Sequence, residues 1–231
     1  MLSFLALGFL IGLRHAVEAD HVAAVVSLST RGGTLRDHAR NGAWWGVGHA
    51  LTLLALAGAC ILFGVVISER TERLLEGAVG VMLVWLGVSV FVRMRRVGLH
   101  VHGHVHADGT AHVHAHGHAP SARGEHEHAH TRSSLRTVGI GALHGLAGSA
   151  ALVLLVGSTA QSPTLGLAYI ALFGVGAVVG MMLLAAPISL PLGFSARRMG
   201  GVYRLACAAV GVFSVVIGLR SIWAVVAPES V

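Results

Sequence analysis

Five ionisable side chains interrupt an otherwise lipid-soluble stretch: "RHAVEADH", Arg14 to His21, follows "MLSFLALGFLIGL" and precedes "VAAVVSLST". Ionisable groups inside a membrane span are costly and usually face a protein interior or a water-filled path. Arg14 and Glu18 stand four apart, so on a helix they can pair with each other. That leaves Asp20 as an uncompensated anion flanked by His15 and His21. Imidazole together with carboxylate suits nickel, cobalt or zinc, whereas an all-oxygen set suits magnesium or calcium. A buried carboxylate also offsets cation charge that lipid would make prohibitive. Metal handling by His15, Asp20 and His21 is the expected chemistry, with Glu18 a further candidate ligand. A proton relay or polar helix packing are the alternatives.

The spacing constrains the backbone. At about 100° per residue, Asp20 lies about 140° from His15 and His21 about 240°. On a straight helix His15 and His21 would also be about 9 Å apart along the axis. Such a helix cannot easily aim all three at one ion. Either the span unwinds between His15 and His21, as discontinuous transporter helices do, or the residues act in succession; the unwound segment is the reading preferred. His49, in "GVGHALTLL", lies among small residues that permit close helix approach and is a further candidate ligand, with a hydrogen-bonded packing role as the alternative. His144, in "ALHGLAGSAAL", has a similar setting without an acidic neighbour and is a further candidate for the metal path. His38 reads as a solvated loop residue, and Glu76 and Arg204 as span-end groups that can snorkel.

The elements that must position these residues are membrane spans. The chain of 231 residues is 55% hydrophobic and 11% charged, with mean hydropathy +0.75. Soluble domains carry about 25% charged residues. Six apolar segments are long enough to cross a bilayer, near residues 2–30, 42–67, 74–92, 137–159, 164–187 and 202–226. The apolar start lacks a basic leader and resumes after His21, so it reads as a first span. The joints are "RGGTLRDHARN", "SERTER", "QSPT" and "PLGFSARRMGG". Cys60 and Cys207 read as buried small hydrophobes. No nucleotide-binding loop is present, which argues against an ATP-driven pump within this chain, and no enzyme, prosthetic group or nucleic-acid partner is expected.

Arginine placement orients the spans. With both termini outside, the inward segments hold Arg31, Arg36, Arg40, Arg93, Arg95, Arg96, Arg123, Arg132, Arg136, Arg197 and Arg198, and the outward joints only Arg70 and Arg73. The long third loop, 97–132, is then cytoplasmic. It holds His100, His102, His104, His106, His112, His114, His116, His118, His126, His128 and His130. Almost no apolar residue in it is larger than valine, so disorder without metal is expected. Closely spaced imidazoles on such a chain can wrap several divalent ions without selecting among them. Capture weakens as pH falls through about 6.5, because imidazolium does not bind metal.

The two halves resemble each other at a shift of about 129 residues. "IGLRHAVEADHVAAVVSLST" from Ile11 lies over "IGALHGLAGSAALVLLVGST" from Ile140, placing His15 on His144. "AWWGVGH" from Ala43 lies over "ALFGVGA" from Ala171, and "AVGV" from Ala78 over "AVGV" from Ala209. Each half has three spans, an odd number, so the second must enter the membrane from the opposite side. Many secondary transporters use this plan and bind substrate at the repeat interface. The fold expected is an all-α membrane protein of six transmembrane helices in two inverted three-helix repeats: 1–96 and 133–231, joined by the histidine-rich loop 97–132.

At these residues the chain resembles a known family. "HAVEADH" fits the H-x4-D-H signature of the nickel/cobalt transporter family, and "GVGHALTLL" is similar to its second histidine motif. The short six-span form most resembles the urease-accessory nickel permease branch, while the long histidine loop resembles the efflux branch. The resemblance implies a prokaryotic cytoplasmic-membrane permease for Ni2+ or Co2+ with His15, Asp20, His21 and His49 as functional residues. Uptake for a nickel enzyme such as urease is the leading expectation. Nickel/cobalt efflux, a non-transporting metal chaperone or sensor, and a thiol–disulfide electron carrier are the alternatives. The metal ion and lipid are the expected partners; a cytoplasmic nickel chaperone and self-association are compatible with this reading.

Overall fold

The structure, a computed structural model, describes residues 2–30, 34–65, 67–96, 100–105, 111–116, 129–147, 156, 160, 162–198 and 200–227. Its first span is two helices, α1 (Leu2–His15) and α2 (Ala19–Ser29), bent by 56° at the break. Between them the i to i−4 ladder gives way to tighter bonds, Val17 N–H to Arg14 C=O at 3.0 Å and Glu18 N–H to His15 C=O at 3.1 Å. The expected unwinding between His15 and His21 is therefore present. Neither proline nor glycine marks the site, the usual causes of a sharp kink.

Helix α3 (Leu35–Phe63) begins with a reciprocal cap. The Thr34 hydroxyl accepts from Asp37 N–H at 3.2 Å, and the Asp37 carboxylate accepts from Thr34 N–H at 3.1 Å. Those bonds satisfy donors that a helix start leaves orphaned. They start α3 inside the expected joint "RGGTLRDHARN", so His38 is helical and 4% exposed and not a solvated loop residue. The helix ends at Gly64, whose φ of +64° favours glycine. Helix α4 (Glu69–Arg96) follows. Then come α5 (Ala129–Ala147), α6 (Pro163–Arg198) and α7 (Gly200–Val226). Pro163 opens α6, where the missing N–H costs nothing. Helix α6 runs to Arg198 and α7 begins at Gly200, so most of the joint expected across "PLGFSARRMGG" is helical, while Met199 lies outside the described residues.

Among the described residues, four single helices are long and apolar enough to cross a bilayer, and the bent pair makes a fifth if it counts as one span. Many large apolar side chains point outward, among them Leu51, Leu205 and Trp223, as lipid-facing surfaces require. The chain is a multi-pass membrane protein whose membrane part is all-α. Of the span expected at 137–159, α5 supplies 137–147, and most of the remainder lies outside the described residues.

Within the histidine-rich segment the structure describes two short strands. Strands β1 (His100–Val105) and β2 (Ala111–His116) pair antiparallel, with His100 opposite His116, His102 opposite His114 and His104 opposite His112. The alternating composition has the period of a strand, and the sequence between them carries Asp108–Gly109, a dipeptide that favours hairpins.

Small residues set the helix packing. Helix α1 packs on α6, α3 on both α5 and α6, and α4 on α7. A Cβ added at Gly12 would lie 2.0 Å from the Phe173 carbonyl oxygen, and one at Gly141 2.0 Å from that of Trp45. At Gly176 it would lie 2.1 Å from the Phe9 oxygen, and at Gly48 2.1 Å from the Val138 oxygen. Gly80 likewise abuts Gly218, and Gly87 abuts Gly211. These contacts run α1 parallel to α6 and α3 parallel to α5, while α4 and α7 are antiparallel. The buried core they enclose includes Trp45, Leu53, Leu83, Tyr169 and Met181.

Candidate metal centre

The break between α1 and α2 brings the opening motif back onto itself. His15 ends α1 and His21 lies in the first turn of α2, yet their ring centroids are 4.3 Å apart. Helix α3 adds His49, 5.3 Å from the His15 ring and 5.1 Å from that of His21. Helix α5 adds His144, 4.2 Å from the His21 ring. His21, His49 and His144 are all buried. His15, His21 and His49 offer ligand atoms within 4.8 Å of one another, as do Asp20, His21 and His144.

Asp20 organises the cluster. It sits in the first turn of α2, where the helix end favours negative charge, and its Oδ1 accepts the His21 backbone N–H at 2.8 Å. The same oxygen lies 2.9 Å from His21 Nδ1, and Oδ2 lies 2.8 Å from His144 Nε2. Asp20 is thus paired with His21 and with a residue 124 positions away, and the uncompensated anion read from the sequence has two partners. Glu18 pairs with His15, Oε1 to Nδ1 at 3.0 Å. Arg14 is exposed; the expected Arg14–Glu18 pair gives way to this one because the helix breaks between them.

Carboxylates accept, so the facing ring nitrogens carry the hydrogens and the opposite nitrogens keep their lone pairs. Those free nitrogens are His15 Nε2, His21 Nε2 and His144 Nδ1, all buried without a hydrogen-bond partner among the described residues. Both nitrogens of His49 are in the same condition. Unsatisfied buried polar atoms are rare and call for an explanation. Here four imidazoles present lone pairs while two carboxylates hold three of them from behind, as carboxylates orient the imidazole ligands of metal sites. Imidazole nitrogens bind nickel, cobalt, zinc or copper.

The structure thus brings together His15, Asp20, His21, His49 and His144, with Glu18 at the edge. Of the loop histidines, six lie in β1 and β2 and His130 in α5; His106, His118, His126 and His128 lie outside the described residues. Three neighbours were missed from the sequence. Trp45 packs edge-on against the cluster, 5.4 Å from both His21 and His144. Glu76 and Arg220 line a cavity that reaches it. Trp45 stands one turn before His49 in "WGVGH", a signal that could have been read; the other two reach the site only through packing. Cys60 and Cys207 are buried free thiols.

No family model matches the chain, and no solved structure matches it. The urease accessory protein UreH of Bacillus sp. (strain TB-90) is 35% identical over 201 residues, covering 86% of this chain and 82% of that protein. At that identity and coverage, the chain belongs to the family of the urease accessory protein UreH.

Proposed function

We propose that this protein is a nickel permease of the cytoplasmic membrane, feeding nickel inward to an enzyme such as urease. The observation that carries the reading is the convergence of four imidazoles around Asp20, each with a buried nitrogen that has no hydrogen-bond partner among the described residues. Their lone pairs bind the ion, and the negative charges of Asp20 and Glu18 balance its two positive ones, which lowers the cost of holding a cation within the membrane. The same donors accept Co2+. The family of UreH, a protein named for urease, points to nickel as the cargo.

The architecture proposed is six spans in two inverted three-span repeats, N-out and C-out, with the histidine-rich segment in the cytoplasm. The close contacts support the repeat. Gly12 and Gly141, Phe9 and Val138, Trp45 and Phe173, and Gly48 and Gly176 are related by displacements of 128 or 129 residues. Each contact in one half therefore has its counterpart with the roles of the halves exchanged. Efflux is the second reading, favoured by the eleven-histidine segment facing the cytoplasm.

Purified protein in lipid vesicles tests the proposal. Saturable movement of radioactive nickel that is lost in His21→Ala and His49→Ala is the expected result. Tight binding with no flux would make the protein a chaperone or sensor. Nickel accumulation in cells with and without the protein decides between import and export.

A further inference from the structure

The site has two unlike sides. On one, a cavity of about 370 Å3 reaches His15, Asp20, His21 and His144 past Glu76 and Arg220. Asp20 keeps 33% of its side-chain exposure and Glu18 57%, whereas His21 and His144 keep 2% each. Solvent thus reaches the carboxylates from this side. The cavity is far larger than one water needs, so an ion can arrive hydrated. Glu76 lies near the start of α4 and Arg220 near the end of α7, so the cavity belongs to the membrane face where those antiparallel helices meet the surface.

On the other side stands Trp45, 0% exposed. Beyond it is a second, much smaller cavity of about 10 Å3, lined by Trp45 with Ser29, His38 and Asn41. That volume barely admits one water. Ser29 ends α2 and His38 lies in the first turns of α3, so this pocket is nearer the opposite membrane face. His38, Trp45 and His49 are spaced seven and four residues apart, about two turns and one turn, and so share one face of α3. The indole Nε1 is buried with no hydrogen-bond partner among the described residues. A donor left unpaired in this state is free to find a partner in another.

We propose that the Trp45 indole is the barrier between the metal site and the opposite membrane face. Its rotation joins the site to the pocket of Ser29, His38 and Asn41. The inference rests on the nickel-transport reading for its purpose, and the path then runs along one face of α3, from the carboxylate-lined cavity through the imidazoles to His38. The present arrangement is the state open on the Glu76 side.

Single cysteines at Glu76 or Asn41, in a background of Cys60→Ala and Cys207→Ala, test it with a small membrane-impermeant methanethiosulfonate cation added from either side. With Trp45 present, Glu76→Cys is modified only from its own face and Asn41→Cys only from the other. Trp45→Ala is expected to raise modification of Asn41→Cys from the Glu76 side at least tenfold, leaving Glu76→Cys modified at its usual rate; Trp45→Phe is expected to leave both patterns unchanged. If Trp45→Ala does not reach the membrane, Trp45→Leu carries the same expectation. Asn41→Cys modified from the Glu76 side as fast with Trp45 in place as without it, or still closed to that side in the smaller variants, would overturn the barrier. Binding of radioactive nickel to the same proteins separates the two claims. The access pattern without binding keeps the barrier and refutes the nickel reading; binding without the pattern does the reverse.

Discussion

Asp20→Asn tests the centre at its organising residue. The carboxylate accepts from His21 Nδ1 at 2.9 Å and from His144 Nε2 at 2.8 Å. Asparagine has nearly the same shape, but only one of its two terminal atoms is an acceptor. The other is an NH2 that must face a lone pair, so one imidazole is driven to the opposite tautomer and its metal-facing nitrogen becomes protonated. One charge-assisted bond is lost, a difference of about 1.5–3 kcal/mol. At about 1.4 kcal/mol per tenfold, nickel affinity should fall roughly 10- to 100-fold, the range typical of an outer-shell partner. Equilibrium dialysis of the purified variant against radioactive nickel measures the affinity, and vesicle flux below saturation should fall in parallel. Asp20→Glu, which keeps the charge, should lose less. An Asp20→Asn affinity within threefold of the parent, at matched membrane abundance, refutes the assignment of Asp20 as the residue that sets the imidazoles.

Gly141→Ala places a methyl 2.0 Å from the Trp45 carbonyl oxygen and should destabilise by about 1–3 kcal/mol, read as a lower thermal midpoint in detergent; Gly139→Ala, with nothing within 4 Å, should not lower it. Arg93 donates to Thr30 Oγ1 at 2.6 Å and to Ser27 C=O at 3.2 Å, holding the end of α2, so Arg93→Ala should speed hydrogen exchange across 27–30 and weaken nickel binding severalfold. Deleting Gly103–His130 should lower the number of nickel ions bound per chain and alter metal tolerance in cells while leaving vesicle flux largely intact; a complete stop in flux with the helices still folded would place that segment in the path.

The chemistry was legible in the sequence because it lies in residue type. Imidazoles and carboxylates inside apolar runs have few uses, and His15, Asp20, His21, His49 and His144 could all be named before any contact was known. The cap that starts α3 was also written locally, in Thr34 and Asp37, yet the charged run after it reads as a joint by composition alone. What only the tertiary structure decided is how the ligands face one another. Ala16, Val17 and Glu18 contain no helix breaker. The break is instead held by pairings across it and beyond it, His15 to Glu18 and Asp20 to His144. The same holds for Trp45, Glu76, His38 and Arg220. Local periodicity places a side chain on a face of its own helix, but which faces meet is set by where glycines such as Gly12, Gly48, Gly141 and Gly176 let backbones touch. Those contacts join residues 90 or more positions apart, a distance over which no pattern along the chain carries information about approach.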